Sequence, residues 1–244
     1  MTSDHTLSLV LPAYNEEDNL EWVVREALAA LPRHFRACEV IVVDDGSRDA
    51  TGAIADRLAA SYPQVRAIHH ARRRGYGAAL RAGFAAARGE RIMFMDADRQ
   101  YDVREVAKLA PCVERCAVVA GYRLQRRDPW PRVVADAAAG YLARLLFGLR
   151  ARDLACGFTI IRADLLRALD LRSPGALINT EILALARQQA ASIAKVGVCH
   201  YARPAGRQTS SAPRAALRAP ADLARLWWHL RVAPHALSHH PHPR

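Results

Sequence analysis

No stretch of this 244-residue chain reaches the roughly 18–20 consecutive apolar residues that a bilayer-spanning helix needs. Its first residues carry neither a basic cluster nor an apolar run, so no secretory leader is expected. Cysteine is sparse and odd in number, at positions Cys38, Cys112, Cys116, Cys156 and Cys199. Scattered thiols of that kind do not make a disulfide framework. Cys112 and Cys116 would lie one helical turn apart, but no second Cys/His pair stands at zinc-like spacing, so they read as packing residues. Two nucleotide-binding signatures are also missing. No G-x-x-x-x-G-K-[ST] occurs, which argues against a P-loop NTPase. No G-x-G-x-x-G follows the first apolar run, which argues against a nicotinamide enzyme. The expectation is a cytoplasmic protein, at most peripheral at the cytoplasmic face of a membrane.

Positive charge, by contrast, is plentiful. Lys and Arg number 35 against 24 Asp and Glu, a net charge of +11, and the excess is nearly all Arg. Such a chain suits an anionic partner: nucleic acid, a phosphorylated substrate or an anionic membrane. Charge alone does not choose among them, because a GC-rich genome also yields Arg- and Ala-rich proteins. Apolar residues make up 51%, enough for a real core, and the length fits one large α/β domain or two small ones.

The apolar pattern is one of short runs alternating with helical periodicity. Residues 7–11 read as a strand ended by Pro12, which cannot donate to a ladder. An acidic helix start follows at Asn15, Glu16, Glu17 and Asp18, and the helix runs on through Leu20, Val23, Val24, Ala27 and Leu31. Residues 40–43 form a second strand, leading into Asp44-Asp45-Gly46-Ser47 and a helix over 50–60. Residues 65–68 form a third, followed by Arg72-Arg73-Arg74-Gly75-Tyr76-Gly77 and a helix over 78–87. Residues 92–95 form a fourth, which runs straight into Asp96-Ala97-Asp98.

Alternating strands and helices imply a parallel sheet with right-handed crossovers. Ligands of such sheets bind beyond the carboxyl ends of the strands. All four polar loops would sit at that edge. Buried strands seldom end in two carboxylates unless these are paired or meet a cation. Asp96 and Asp98, two residues apart, can aim at one point, and hard oxygen ligands suit Mg²⁺ or Mn²⁺ shared with substrate phosphates.

The loops Pro12-Ala13-Tyr14-Asn15-Glu16-Glu17, Val43-Asp44-Asp45-Gly46-Ser47, Arg74-Gly75-Tyr76-Gly77-Ala78-Ala79 and Asp96-Ala97-Asp98-Arg99-Gln100-Tyr101-Asp102 together resemble the family 2 glycosyltransferases of the GT-A fold. Within that family the chain looks most like the branch acting on dolichol or polyprenol phosphate with mannose or glucose. The resemblance spans about residues 7–209. It implies a mostly parallel central sheet flanked by helices. Pro12, Tyr14 and Glu16 would cradle the nucleoside of a sugar nucleotide. Asp45, with Asp44 beside it, would hold the base or ribose, and Gly75 would lie against the substrate. Asp96 would face the nucleotide-sugar, and Asp98 and Gln100 would coordinate a divalent metal on its diphosphate. The pattern departs from the family at Arg73, where Asn is frequent, and at Val103, where Pro is usual.

Further along, residues 117–120 read as a fifth strand ending at Gly121-Tyr122-Arg123. Residues 133–149 read as a helix flanked by Trp130 and Arg132, an ordinary core helix or, as the branch implies, one lying against the bilayer. Asp153-Leu154-Ala155-Cys156-Gly157-Phe158 resembles the family's segment beside the acceptor, with Thr159 where a lysine-like position is usual. Ile178-Asn179-Thr180-Glu181 opens another helix; Glu181 either points back at the cleft or makes a buried salt bridge. Residues 193–198 form the last strand. The stretch with Arg203, Gly206 and Arg207 resembles the family's Arg-x-x-Gly loop over phosphates, and Arg suits bidentate phosphate binding. Residues 1–212 are thus expected to form the catalytic domain, 213–232 a basic amphipathic helix with paired Trp, and 233–244 a disordered tail.

Three functions follow as alternatives. The first is an inverting transferase carrying a hexose from a GDP-mannose- or UDP-glucose-type donor to a polyprenyl phosphate. In it Arg123, Arg132, Arg203 and Arg207 would hold the acceptor phosphate or the leaving group. The second keeps the fold but uses a hydroxyl acceptor, for which Glu181 or Asp153 would be the base. The third, a nucleic-acid-binding module, leaves the acidic strand ends unexplained and shows no recognised motif.

Overall fold

The computed structural model describes residues 3–124, 130–149, 153–154, 156–206 and 224–228, with side chains undescribed at 130–136, 138 and 139. Seven strands are present: β1 (Ser3–Ala13), β2 (Phe35–Asp44), β3 (Val65–His69), β4 (Arg91–Phe94), β5 (Val118–Arg123), β6 (Thr159–Arg162) and β7 (Ile193–Val198). The helices are α1 (Leu20–Ala30), α2 (Thr51–Ser61), α3 (Tyr76–Ala86), α4 (Val106–Leu109), α5 (Trp130–Phe147), α6 (Ala163–Ala168) and α7 (Leu177–Gln188).

One sheet carries all seven strands in the order β3-β2-β1-β4-β6-β5-β7. The β1–β2, β1–β4, β2–β3 and β5–β7 pairs are parallel. β6 is antiparallel to both of its neighbours, β4 and β5. The continuous apolar runs are explained by cover on both faces. Leu7, Leu9, Leu11, Val40 and Val42 pack on one face with Leu20, Val23 and Val24 of α1 and Leu58 of α2. Val10, Ile41, Val43, Ile92 and Phe94 pack on the other with Leu80 and Phe84 of α3 and Ile178 and Ile182 of α7.

Three local expectations are corrected. β1 does not stop at Pro12; it continues to Ala13, with Pro12 opposite Val43. The β1–β4 ladder ends at Val10, so Pro12 has a strand on one side only, where a missing donor is tolerated. The helix starts at Leu20 and not at Asn15. Asn15 has a left-handed backbone (φ 55), and the Glu16 amide donates to Thr51 Oγ1, so residues 15–18 turn rather than wind. β6 is an element that sequence periodicity did not reveal. Its direction matters, because the segment before it, not after it, reaches the edge where β1, β2, β4 and β5 end.

Candidate active site

The four polar loops do converge at that edge. The Asn15 amide donates to Ser47 Oγ, and the Arg48 amide donates to Asn15 Oδ1. The Ala50 amide donates to Glu17 Oε2. These bonds stitch the loop after β1 to the loop after β2. Tyr14 joins the loop after β3 by stacking under Arg73, whose guanidinium carbon lies 4.1 Å from the ring centre.

Asp44 and Asp45 are buried, and their carboxylates are engaged within the protein. Asp44 accepts from the Ser47 amide and faces His69 Nδ1 at 3.1 Å. Asp45 accepts from the Arg74 and Gly75 amides at 2.9 and 2.8 Å and faces His70 Nδ1 at 2.7 Å. Asp45 thus shapes the turn that opens α3. Gly75 makes that turn with φ 98, and a Cβ there would lie 2.7 Å from the Pro174 carbonyl oxygen. At Gly77 a Cβ would lie 2.1 Å from the Ser173 carbonyl oxygen. The 173–174 backbone is in turn held by Glu181, which accepts from the Arg172 and Ser173 amides at 2.9 Å each. Glu181 is therefore a buried brace bonded to backbone amides, and no ion pair to it is present among the described residues.

Asp96 lies just past the end of β4, half-buried in the floor of the edge. Both of its oxygens lie against Gly157, where a Cβ would come within 2.8 Å of each. Its Oδ1 has no hydrogen-bond donor, and Tyr76 Oη beside it is likewise buried and unsatisfied. Burial, and then the neighbouring Asp98, push the Asp96 carboxyl up to about 7. Asp98 Oδ1 accepts from the Gln100 amide at 3.1 Å, across a left-handed Arg99 (φ 61). Two non-glycine residues, Asn15 and Arg99, thus hold left-handed backbones in the loops that carry the acids, a costly arrangement concentrated at functional sites.

Residues 199–206 close over these acids. The Tyr201 amide donates to the Gln100 carbonyl, and Gln100 Nε2 donates back to the Tyr201 carbonyl. Arg203 Nη2 donates to Glu16 Oε2 at 2.6 Å, and its Nη1 lies 3.5 Å from Asp98 Oδ2. Asn19 Nδ2 donates both to Glu16 Oε2 at 2.9 Å and to the Ala205 carbonyl at 3.2 Å. Burial pushes Glu16 up despite these donors. Asn19 was not singled out from the sequence, since its partners Glu16 and Ala205 meet only in the fold.

Arg123, at the end of β5, donates from Nε and Nη2 to the two oxygens of Asp153 at 2.6 and 2.9 Å. Burial opposes its charge, but the Asp153 bonds outweigh this and raise its pKa. Asp153, Cys156 and Gly157 reach the site because β6 runs backwards. Lys195 on β7 lines a small closed cavity with Asp153, Cys156 and Asn179; burial pushes its ammonium down. Arg132 lies in α5, but its side chain is outside the described residues, as is Arg207. Of the expected 213–232 helix, residues 224–228 are described and helical, with Leu226 buried and Trp228 exposed. The expected tail, 233–244, is outside the described residues.

The donors fit a hard divalent cation. Asp96, Asp98, Glu16 and Gln100 offer oxygen only, and Asp96 Oδ1 is buried without a partner. Gln100 commits its nitrogen to Tyr201, which leaves Oε1 as the atom it could offer. Among the described residues no three His, Cys, Asp or Glu groups form a ready cage. An incomplete cage of this kind matches an ion whose remaining ligands come from substrate phosphates.

Sequence and fold comparisons agree with this geometry. Over 238 residues the chain is 34% identical to glycosyltransferase AglD of Haloferax volcanii, covering 93% of this chain and 38% of that protein. Over 173 residues it is 35% identical to polyprenol monophosphomannose synthase of Mycolicibacterium smegmatis, covering 67% of this chain and 64% of that one. The chain thus spans between about a third and two thirds of these relatives' length. Its fold is similar to the crystal structure of glucosyl-3-phosphoglycerate synthase from Mycobacterium tuberculosis, solved with Mn²⁺, UDP and phosphoglyceric acid. The TM-score is 0.72 at 24% identity, over 91% of this chain and 78% of that one. The model of Glycosyl transferase family 2 matches residues 8–169, two thirds of the chain and all four of the polar loops that follow β1, β2, β3 and β4, and the chain belongs to that family.

Proposed function

We propose that the protein is an inverting glycosyltransferase that moves a hexose from a nucleotide-sugar, of the GDP-mannose or UDP-glucose type, to a polyprenyl phosphate. The observation that carries this reading is the meeting of Glu16 and Asp98, from two separate strand ends, under one arginine, Arg203, with Asp96 beside them. The named activity of polyprenol monophosphomannose synthase supports the lipid phosphate. The Mn²⁺ and UDP bound by glucosyl-3-phosphoglycerate synthase support the nucleotide and the metal.

Tyr14 and the turn shaped by Asp45 receive the nucleoside. Asp98 and Gln100 hold Mg²⁺ or Mn²⁺, which when bound neutralises charge on the departing diphosphate. Arg203 faces that diphosphate; Arg207, expected from the sequence to share this role, is outside the described residues. An oxygen of the acceptor phosphate forms the new bond to the anomeric carbon as the bond to the nucleoside diphosphate breaks, its electron pair leaving with the diphosphate. A phosphate is already ionised at neutral pH, so no base is required. The hydroxyl-acceptor reading needs one, and both candidates are committed: Asp153 to Arg123, Glu181 to two amides.

The test is transfer from radiolabelled nucleotide-sugars to polyprenyl phosphate, with soluble hydroxyl acceptors in parallel. Asp98→Ala and EDTA each abolish transfer on this reading. Full activity in EDTA sinks the metal role, and transfer to the soluble acceptors alone sinks the lipid.

A further inference from the structure

We infer that Arg203 is an internal counter-cation that competes with the divalent ion: its guanidinium stands between Glu16 and Asp98, and metal entry and the release of residues 201–206 are one event. This rests on Asp98 being a metal ligand.

Three observations carry it. Arg203 touches carboxylates from both sides of the cleft, Glu16 at 2.6 Å and Asp98 at 3.5 Å, with its side chain 13% exposed. A desolvated guanidinium and a dication cannot share these oxygens without repulsion. Two carboxylates, Glu16 and Asp98, share this one guanidinium, and Asp96 Oδ1 is buried beside them without a partner, so an oxygen-rich hollow remains for a cation. Finally, residues 201–206 are held by groups that flank the acids, while Cys199 and His200 before them are fixed separately, by the Glu105 carboxylate and the Tyr101 ring. Gln100 pairs with Tyr201, and Asn19 holds Glu16 and the Ala205 carbonyl through one nitrogen. Arg203 Nε also donates to that carbonyl at 2.8 Å, so the guanidinium and the fold of the 203–206 turn move together. An arginine freed from Glu16 and Asp98 keeps its Nε bond to the Ala205 carbonyl, and so stays within reach of a diphosphate. By linkage, whatever opens the segment tightens metal binding, and metal loosens the segment by the same factor.

The experiment measures binding of Mn²⁺ alone, without nucleotide, to the full chain by calorimetry and electron paramagnetic resonance. Arg203→Gln binds Mn²⁺ about tenfold tighter than the native protein, within the usual span of such couplings. Arg203→Lys, which keeps the charge, stays close to native. In the native protein Mn²⁺ speeds hydrogen exchange at the Tyr201 amide, a readout that does not depend on any variant folding. If Arg203→Gln binds Mn²⁺ no better than native while Asp98→Asn loses it, the competition is wrong and the metal site stands. If Asp98→Asn binds Mn²⁺ as well as native, both fall. No acceleration of exchange at Tyr201 on Mn²⁺ saturation also overturns the inference.

Discussion

Asp96 holds its proton because it is buried, and that has a pH signature. An ordinary aspartate loses its proton near 3.8, whereas folded Asp96 keeps it to about 7. Between those values unfolding releases a proton. The contribution to stability is therefore full below 3.8 and is lost as pH rises through about 7. The slope is at most about 1.4 kcal/mol per pH unit. Thermal melts in EDTA should fall from pH 5 to pH 8, and Asp96→Asn should flatten that fall; an unchanged slope in the variant would show that other groups set it. Gly157 bears on the same carboxylate. A methyl at this position would sit 2.8 Å from both Asp96 oxygens, and the glycine backbone is not in the left-handed region. Gly157→Ala is expected to keep the fold and reduce kcat/KM for transfer by about tenfold to a hundredfold, the scale of a misplaced site group. Native kcat/KM in the variant would mean that the Asp96 geometry is not used.

At the level of elements, the start of α3 depends on a chain of contacts that begins at Glu181 on α7. Glu181 holds the 172–173 amides, these present the Ser173 and Pro174 carbonyls, and the carbonyls fit against Gly75 and Gly77. Gly77→Ala should cost on the order of 1–3 kcal/mol in urea unfolding, as overpacking does. Glu181→Gln should cost a similar amount, since it weakens acceptance from two buried amides. Retention of full stability in both would break the chain. The strand-then-helix order of the first half was legible because each strand is an apolar run and each loop is polar. β6 was not: Thr159-Ile160-Ile161 is too short to show a period, and no turn residue announces its reversal. The acids at the edge were legible as residues. Their uses were not, because Asp45 bonding to the 74–75 amides, or Glu181 to the 172–173 amides, depends on partners distant in sequence.

The molecule as a whole is strongly basic, and α5 presents an exposed apolar pair. Tyr141 and Leu145, one turn apart, are 63% and 64% exposed, with exposed Arg144 between them. No described helix is long and apolar enough to cross a membrane. Such a face suits the interface of an anionic bilayer, where aromatic and aliphatic side chains enter and arginine meets headgroups. The Tyr141→Ser/Leu145→Ser double variant should partition onto vesicles containing anionic lipid about tenfold less than native, as loss of two partly inserted side chains implies. Equal sedimentation of the two proteins with such vesicles would assign this face elsewhere.

The reversed strand at the middle of the sheet also dictates how the protein can be assembled. Until Thr159–Arg162 is in place, β4 has a naked flank and β5 has no link to the N-terminal strands. Along that seam the two halves of the sheet are joined by this short strand and the residues directly flanking it, Phe158 and Ala163. A shortened chain ending before residue 159 would thus present an unsatisfied row of peptide groups ready to recruit a second chain, and should aggregate rather than survive as a smaller version of the enzyme.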